Sequence, residues 1–350
     1  MKPSGCVHLR QRQLLPGLLL IGLLALPASR PVFAQATTRL QPAQLAVVVN
    51  DADPDSVAIG RYYLQARNIP PANLVHVSIP GRPQRIDPAQ FSALRQAIDR
   101  QLPGGIEAVL MVWTAPYAVN CNAITAAYTL GYDAAQCRNG CAAGKANPYF
   151  NAAGGGPFSS FRTRISMLLP TESVALAKAL IGRGTASGFK LHPAGAYYLI
   201  TSQAARNARA HLYPPNARIA GKQLLTRTLR ADHLDGAEDV MIYQTGMARV
   251  ERLDTVRFLP GALADHLTSF GGDLLGKDQM SSLRWLEAGA TASYGTVSEP
   301  CNHWQKFPHP TLLLKHYTGG ATAIEAYWRS VAWPAQGVFI GEPLAAPYSR

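Results

Sequence analysis

The sequence predicts an α/β fold built on a mainly parallel sheet flanked by helices. Three observations predict it. Continuous apolar runs at 45–50 (L-A-V-V-V-N), 108–114 (A-V-L-M-V-W-T) and 195–201 (G-A-Y-Y-L-I-T) lack polar alternation. They therefore read as strands covered on both faces. Helical spacing lies between the first of these runs, and a β-α-β-α-β alternation implies parallel strands joined by right-handed crossovers. Late in the chain, small and β-forming residues at 290–297 sit between Gly289 and Pro300 and read as one more buried strand.

Before the first strand lies an expected export signal at 1–34. Lys2, Arg10 and Arg12 precede an apolar run at 14–26, and Val32-Phe33-Ala34 supplies small residues for cleavage before Gln35. That run is too short to span a bilayer. The expected product is 35–350, a single α/β domain, periplasmic or extracellular, with no stable membrane span. The formal charge of the 350-residue chain is +12. Removal of Lys2, Arg10, Arg12 and Arg30 leaves about +8, without a Lys/Arg block. Nucleic acid is not an expected partner of such an exported chain. An excess spread in this way fits solvated surface charge, or weak adhesion to anionic lipid or polysaccharide.

After the first strand comes Asp51-Ala52-Asp53-Pro54-Asp55-Ser56, whose residue types suit a helix N-cap with proline in the first turn. Turn and cap formation accounts for the three aspartates more simply than a cation does, because no calcium-loop spacing is present. A helix ends near Asn68. A second strand is expected at 73–79, and a helix at 87–102 with Phe91, Leu94 and Ile98 on one face. Residues 115–162 interrupt the rhythm with Cys121, Cys137, Cys141 and Gly154-Gly155-Gly156. A loop of that length reads as a substrate lid or as a stapled surface insertion. Further strands are expected at 162–169, 239–245 and 338–340, and helices at 172–182, 283–287 and 322–331. Residues 203–237 are basic and irregular, and read as a helical connector or a ligand-facing flap.

The candidate chemistry gathers behind the 290–297 strand. Ligands of open α/β sheets bind at the carboxyl ends of strands, and Glu299, Cys301 and His303 follow there. A thiolate nucleophile needs a base within reach. Cys301 is the candidate nucleophile, with His303, His266 and His309 as candidate bases and Asp265 or Glu299 as orienting carboxylates. Zinc at Glu299, Cys301, His303 and His309 lacks the usual second ligand pair. No metal and no cofactor are assigned. Ser269, before Phe270-Gly271-Gly272, lacks a G-x-S-x-G setting. Trp304, Trp328, Trp333, Tyr317 and Tyr327 read as core and rim.

With Cys6 in the leader, four cysteines remain, and an even count in an exported chain favours disulfides. Sequence cannot choose among the three pairings. The short loop around Arg138-Asn139-Gly140 favours Cys137–Cys141. Cys121 and Cys301 are then left to pair or to stay free.

From Gly289 onward the order G-A-T-A-S-Y-G-T-V-S-E-P, then Ile324-Glu325-Ala326-Tyr327, then Gly341-Glu342-Pro343-Leu344 and Pro347-Tyr348, resembles an uncharacterised exported bacterial family found in exosortase-carrying species. V-V-V-N-D-A-D-P-D-S at 47–56 and Arg67-Asn68-Ile69-Pro70 match it as well. More distantly, the layout is similar to the caspase-like fold of gingipain peptidases, which implies a three-layer architecture. That resemblance implies His-Gly after one strand and Cys at the end of the next. The corresponding places here hold Gln244-Thr245-Gly246 and Thr268-Ser269. Two functions stay open. One is a cysteine-dependent hydrolase of peptide or acyl bonds. The other is a catalytically inactive binding or assembly protein of the cell envelope, with a peptide or polysaccharide ligand.

Overall fold

The computed structural model describes residues 39–189 and 192–350. The expected leader lies outside the described residues. Strand β1 (Leu45–Asn50) leads through helix α1 (Pro54–Arg67) to β2 (Leu74–Val77). A short β3 (Arg85–Ile86) and α2 (Pro88–Asp99) lead to β4 (Ala108–Val112). The interruption before β7 (Ile165–Leu168) holds β5 (Ala118–Val119), β6 (Asn122–Ala123), α3 (Ile124–Leu130), α4 (Ala134–Arg138) and α5 (Pro157–Phe161). Then come α6 (Val174–Ala186), β8 (Ala194–Ile200), β9 (Ala217–Ile219), β10 (Leu224–Arg230), β11 (Val240–Thr245) and β12 (Phe258–His266). The chain closes with α7 (Leu283–Glu287), β13 (Ala292–Thr296), α8 (Pro310–Thr318), α9 (Ala323–Trp328) and β14 (Gly337–Gly341).

The main sheet of the described residues has the order β2-β1-β4-β7-β14-β13-β12-β11-β8-β10-β9, and β3-β5-β6 form a small second sheet. The larger sheet is mainly parallel and lies between helical layers, the α/β architecture the sequence predicts. β1 steps to β2 by way of α1, and the chain then returns past β1 to β4 by way of α2. The register pairs Val47 with Leu110 and Met167, and Ala46 with Val109 and Ser166. Gly60 of α1 lies on Val49 and Val47, where an added Cβ would come within 2.2 Å of Val49 Cγ1. On the Ser166 face, Thr129 of α3 sits 3.1 Å from the Ser166 hydroxyl, and Tyr128 donates to Asp99 of α2 at 2.8 Å. Direction and face therefore switch together, which keeps both crossovers the same hand.

The sheet reverses in its middle, and again at its edge, where β9 pairs antiparallel with β10. β2, β1, β4, β7 and β14 run one way. β13, β12, β11, β8 and β10 run the other way, and the two blocks meet at the antiparallel β13–β14 pair. The carboxyl end of β13 therefore shares a sheet edge with β12, β11 and β8, while those of β1 and β4 lie at the opposite edge.

Several expectations need correction. The interruption at 115–162 is not simply a surface insertion, because Ile124 through Thr129 of α3 are buried against β7 and β14. Its sequence of small residues packs closely on the sheet. Residues 203–237 are neither helix nor flap. They form short 3-10 turns at Ala204–Asn207 and Ala210–Leu212, and then the edge strand β9 and its neighbour β10. Helix α8 was not expected, and α6 is capped by Ser173, whose side chain accepts from Leu176 N.

The motif at 47–56 proves to be a set of structural staples. Asn50 Nδ2 donates to Ile79 O and its Oδ1 accepts from Ile79 N at 2.7 Å, which ties β1 to the end of β2. The Ser56 hydroxyl donates to Val112 O and accepts from Asn50 N at 2.8 Å, which ties β1 to β4. Asp53 accepts from Asp55 N at 3.1 Å as the α1 cap, and from the Thr171 hydroxyl at 3.4 Å.

Candidate functional site

The ends of β8, β11, β12 and β13 lie side by side, and the predicted site residues follow them. Their geometry is built from Gly-Gly contact outward. Gly271-Gly272, just past β12, lies directly on β13, with Gly272 N donating to Thr296 O at 2.8 Å. A Cβ on Gly295 would come within 2.4 Å of Gly271 C, so only glycine lets the two backbones meet. The Thr296 hydroxyl donates to Thr268 O at 3.0 Å, and Glu299 N donates to Ser269 O at 3.0 Å. The polar tail of β13 is thereby sewn to the end of β12.

Glu299 is fully buried. Its carboxylate accepts from Cys301 N at 3.1 Å and Asn302 N at 2.6 Å, and faces Lys306 Nζ at 3.5 Å. Burial pushes the Lys306 ammonium down, and the Glu299 carboxylate opposes it. Lys306 also donates to Gly140 O. These contacts make Glu299 the organiser of a tight turn.

Cys301 is bonded to Cys141 and Cys121 to Cys137, with Cα–Cα separations of 5.6 and 5.3 Å. This corrects the favoured Cys137–Cys141 pairing. Both bridges join positions that folding, not sequence proximity, brings together. In this oxidised chain Cys301 offers no thiolate, so the nucleophile read from the sequence has no free sulfur. His303 is half-buried, with its ring 6.2 Å from that of Trp333. His309 caps α8, its Nδ1 accepting from Leu312 N at 3.4 Å, and its ring lies 5.6 Å from that of Trp304. Trp328, Tyr317 and Tyr327 are core, whereas Trp304 and Trp333 lie at the rim.

His266 and Asp265 end β12 inside the protein. The His266 Nδ1 accepts from the Trp285 indole N–H at 2.9 Å, and Nε2 lies 3.0 Å from Met280 O, to which it donates. Those roles define a neutral imidazole with both nitrogens engaged. Burial drives its pKa down to about 3, and Arg209 and Arg206 push the same way against the Met280 contact. Asp265 forms a fully buried ion pair with Arg209 and accepts from Gln244 Nε2 at 2.9 Å. Burial pushes the carboxyl up, while Arg209, Gln244 and Tyr327 pull against it. Arg209 also donates to Thr245 O at 3.0 Å and Pro308 O at 3.1 Å, locking the ends of β11 and β12 to the loop before α8.

The places that resembled the peptidase His and Cys are filled by the chain's own contacts. A Cβ on Gly246 would meet Arg206 O at 2.0 Å. The Thr268 hydroxyl donates to Gln279 Oε1 at 2.7 Å and accepts from Arg206 Nε at 3.2 Å. Sequence reading missed Arg206, Arg209, Gln279 and Lys306. Their only signal was charge or polarity in irregular segments, which looks the same for a solvated side chain. Of the cavities in the described residues, one is lined by Arg39, Lys315, His316 and Arg329, and another by Leu176, Leu180 and Leu283. Cys301, His303, Glu299, Asp265 and His266 line neither.

No helix among the described residues is long and apolar enough to cross a membrane. No protein-family model matches this chain, and no curated protein does. Among solved structures it is similar to the crystal structure of the Arg-specific cysteine proteinase gingipain R. The identity is 10% over 89% of this chain and 79% of that one, with a TM-score of 0.44. It is also similar to the complex of Porphyromonas gingivalis RgpB pro- and mature domains, at 10% identity over 87% and 79%, with a TM-score of 0.42.

Proposed function

We propose that this chain is an exported, catalytically silent binding or assembly protein of the cell envelope, with a peptide or an envelope polysaccharide as its ligand. One observation carries the reading: the Cys301 sulfur is bonded to that of Cys141. A disulfide sulfur cannot serve as the resting nucleophile of a hydrolase. The enclosed His266 and the ion-paired Asp265 support the same reading, because neither presents a free proton acceptor to a substrate. Two disulfides also fit an oxidising compartment outside the cytoplasm. The distant caspase-like likeness fits a chain whose peptidase positions now carry Thr245 and Thr268-Ser269.

The test is a thiol count on the mature protein, denatured without reductant, combined with peptide mapping. The expected result is no labelled cysteine, bridges at 121–137 and 141–301, and no turnover of peptide or ester substrates. A labelled Cys301, with turnover that Cys301→Ala abolishes, would restore the cysteine-hydrolase reading at Cys301, His303, His266, Asp265 and Glu299.

A further inference from the structure

Away from the strand ends, one cavity has the charge and the unmet hydrogen-bonding capacity of a ligand site. It encloses about 310 Å³ beside the carboxyl end of α8, and Arg39, Lys315, His316, Glu325 and Arg329 line it together with small residues. Its single carboxylate is already occupied. Glu325 accepts from Leu40 N at 3.2 Å, Thr322 N at 3.0 Å, the Thr322 hydroxyl at 2.8 Å and the Tyr149 hydroxyl at 3.3 Å, and faces Arg329 at 3.5 Å. Arg329 is only 3% exposed, yet its Nε–H has no hydrogen-bond partner among the described residues. Buried guanidinium donors rarely go unmet. Lys315 donates to a neutral acceptor, Asn151 Oδ1, at 3.1 Å. Among the described residues no carboxylate pairs with Arg39 or Lys315.

Three cations against one carboxylate leave the lining with two uncompensated positive charges. His316 adds none near neutrality. Burial holds its pKa down to about 4, and Arg329 and Lys315 push it further the same way. We propose that this cavity binds a dianionic phosphate group between Arg39, Lys315 and Arg329. A phosphate monoester carries close to two negative charges near neutral pH, which matches the excess. Its oxygens suit the fork of a guanidinium and the point charge of an ammonium. The group is either free phosphate or a phosphate ester on a sugar, and the chemistry of the site is the same for both. This site is separate from the strand ends, so it stands whether or not the chain proves to be catalytic.

The test is calorimetric titration of the mature protein with inorganic phosphate and with a sugar phosphate, with acetate as the monoanion control. Saturable binding is expected for at least one phosphate, and acetate should bind far more weakly. Arg39→Glu and Lys315→Glu should each weaken binding by about tenfold or more, with circular dichroism and melting unchanged. Lys222→Glu, outside the cavity, should leave binding intact. Tighter binding of the sugar phosphate assigns the site to esterified phosphate, and tighter inorganic phosphate assigns it to the free ion. Saturation should also raise the NMR-detected His316 pKa, because an adjacent anion favours the imidazolium. Absence of saturation by either phosphate, equal affinity for acetate, or an equal loss in Lys222→Glu overturns the proposal.

Discussion

Cys141 and Cys301 are 160 residues apart in the chain and 5.6 Å apart between Cα atoms, joined sulfur to sulfur. The bond ties the tail of β13 to the segment after α4. Lys306 adds to the same seam by donating to Gly140 O, as does Gln336 at 3.3 Å. A residue picked out for nucleophilic chemistry is thus one half of a clamp between two distant stretches.

A cross-link stabilises chiefly by restricting the unfolded chain, and more so for a longer loop. Replacing both cysteines of the 141–301 bridge by serine should therefore cost more than replacing both of the 121–137 bridge. Loop-entropy limits are about 5 and about 3 kcal/mol respectively. Urea unfolding of the two double variants measures the difference. A larger loss from the shorter bridge would refute the assignment.

The Arg209–Asp265 pair should be costly to split and cheap to replace. Asp265→Ala leaves a buried guanidinium without its anion and should destabilise by about 3–5 kcal/mol. Combining Arg209→Met with Asp265→Leu should cost clearly less than the sum of the single losses. A double-mutant cycle by denaturant unfolding reads this directly, and additive losses would show that the two side chains are not coupled.

His266 predicts a slope of stability with pH. Its folded pKa is depressed to about 3, from an ordinary value of 6.5. The unfolded chain therefore binds a proton that the folded chain refuses in that interval. This contribution is fully present above about pH 6.5 and is lost progressively as pH falls towards 3. His266→Gln should flatten the slope of unfolding free energy between pH 6.5 and 4, even if it lowers stability overall. An unchanged slope would mean that His266 is not enclosed as described.

Gly295→Ala should destabilise by about 1–3 kcal/mol or more through overpacking, since its Cβ would sit 2.4 Å from Gly271 C and from the Ser282 hydroxyl. By contrast, Gly182→Ala in the middle of α6 meets nothing within 4 Å and should be neutral or mildly stabilising. Melting temperatures of the two variants decide the matter, and a tolerated Gly295→Ala would show that the 271–272 segment does not lie on β13.

Without coordinates, the chain already announced several strands of its main sheet. The runs expected from Leu45, Ala108 and Asp239 fall within a residue of the strands that begin at Leu45, Ala108 and Val240, and α7 spans the residues its pattern indicated. Such features rest on the spacing of apolar side chains over a few residues, and local spacing is written in the sequence. The apolar residues of 203–237 gave no period, because β9 is a short exposed edge strand and its neighbour β10 is only partly buried. Folding alone revealed the reversal at β13–β14, the partners of the four cysteines, and the Trp285 and Met280 contacts that occupy His266. Each depends on which distant segments become neighbours, and a side chain's chemistry follows from those neighbours: the same cysteine is a nucleophile beside a base and a bridge beside another cysteine.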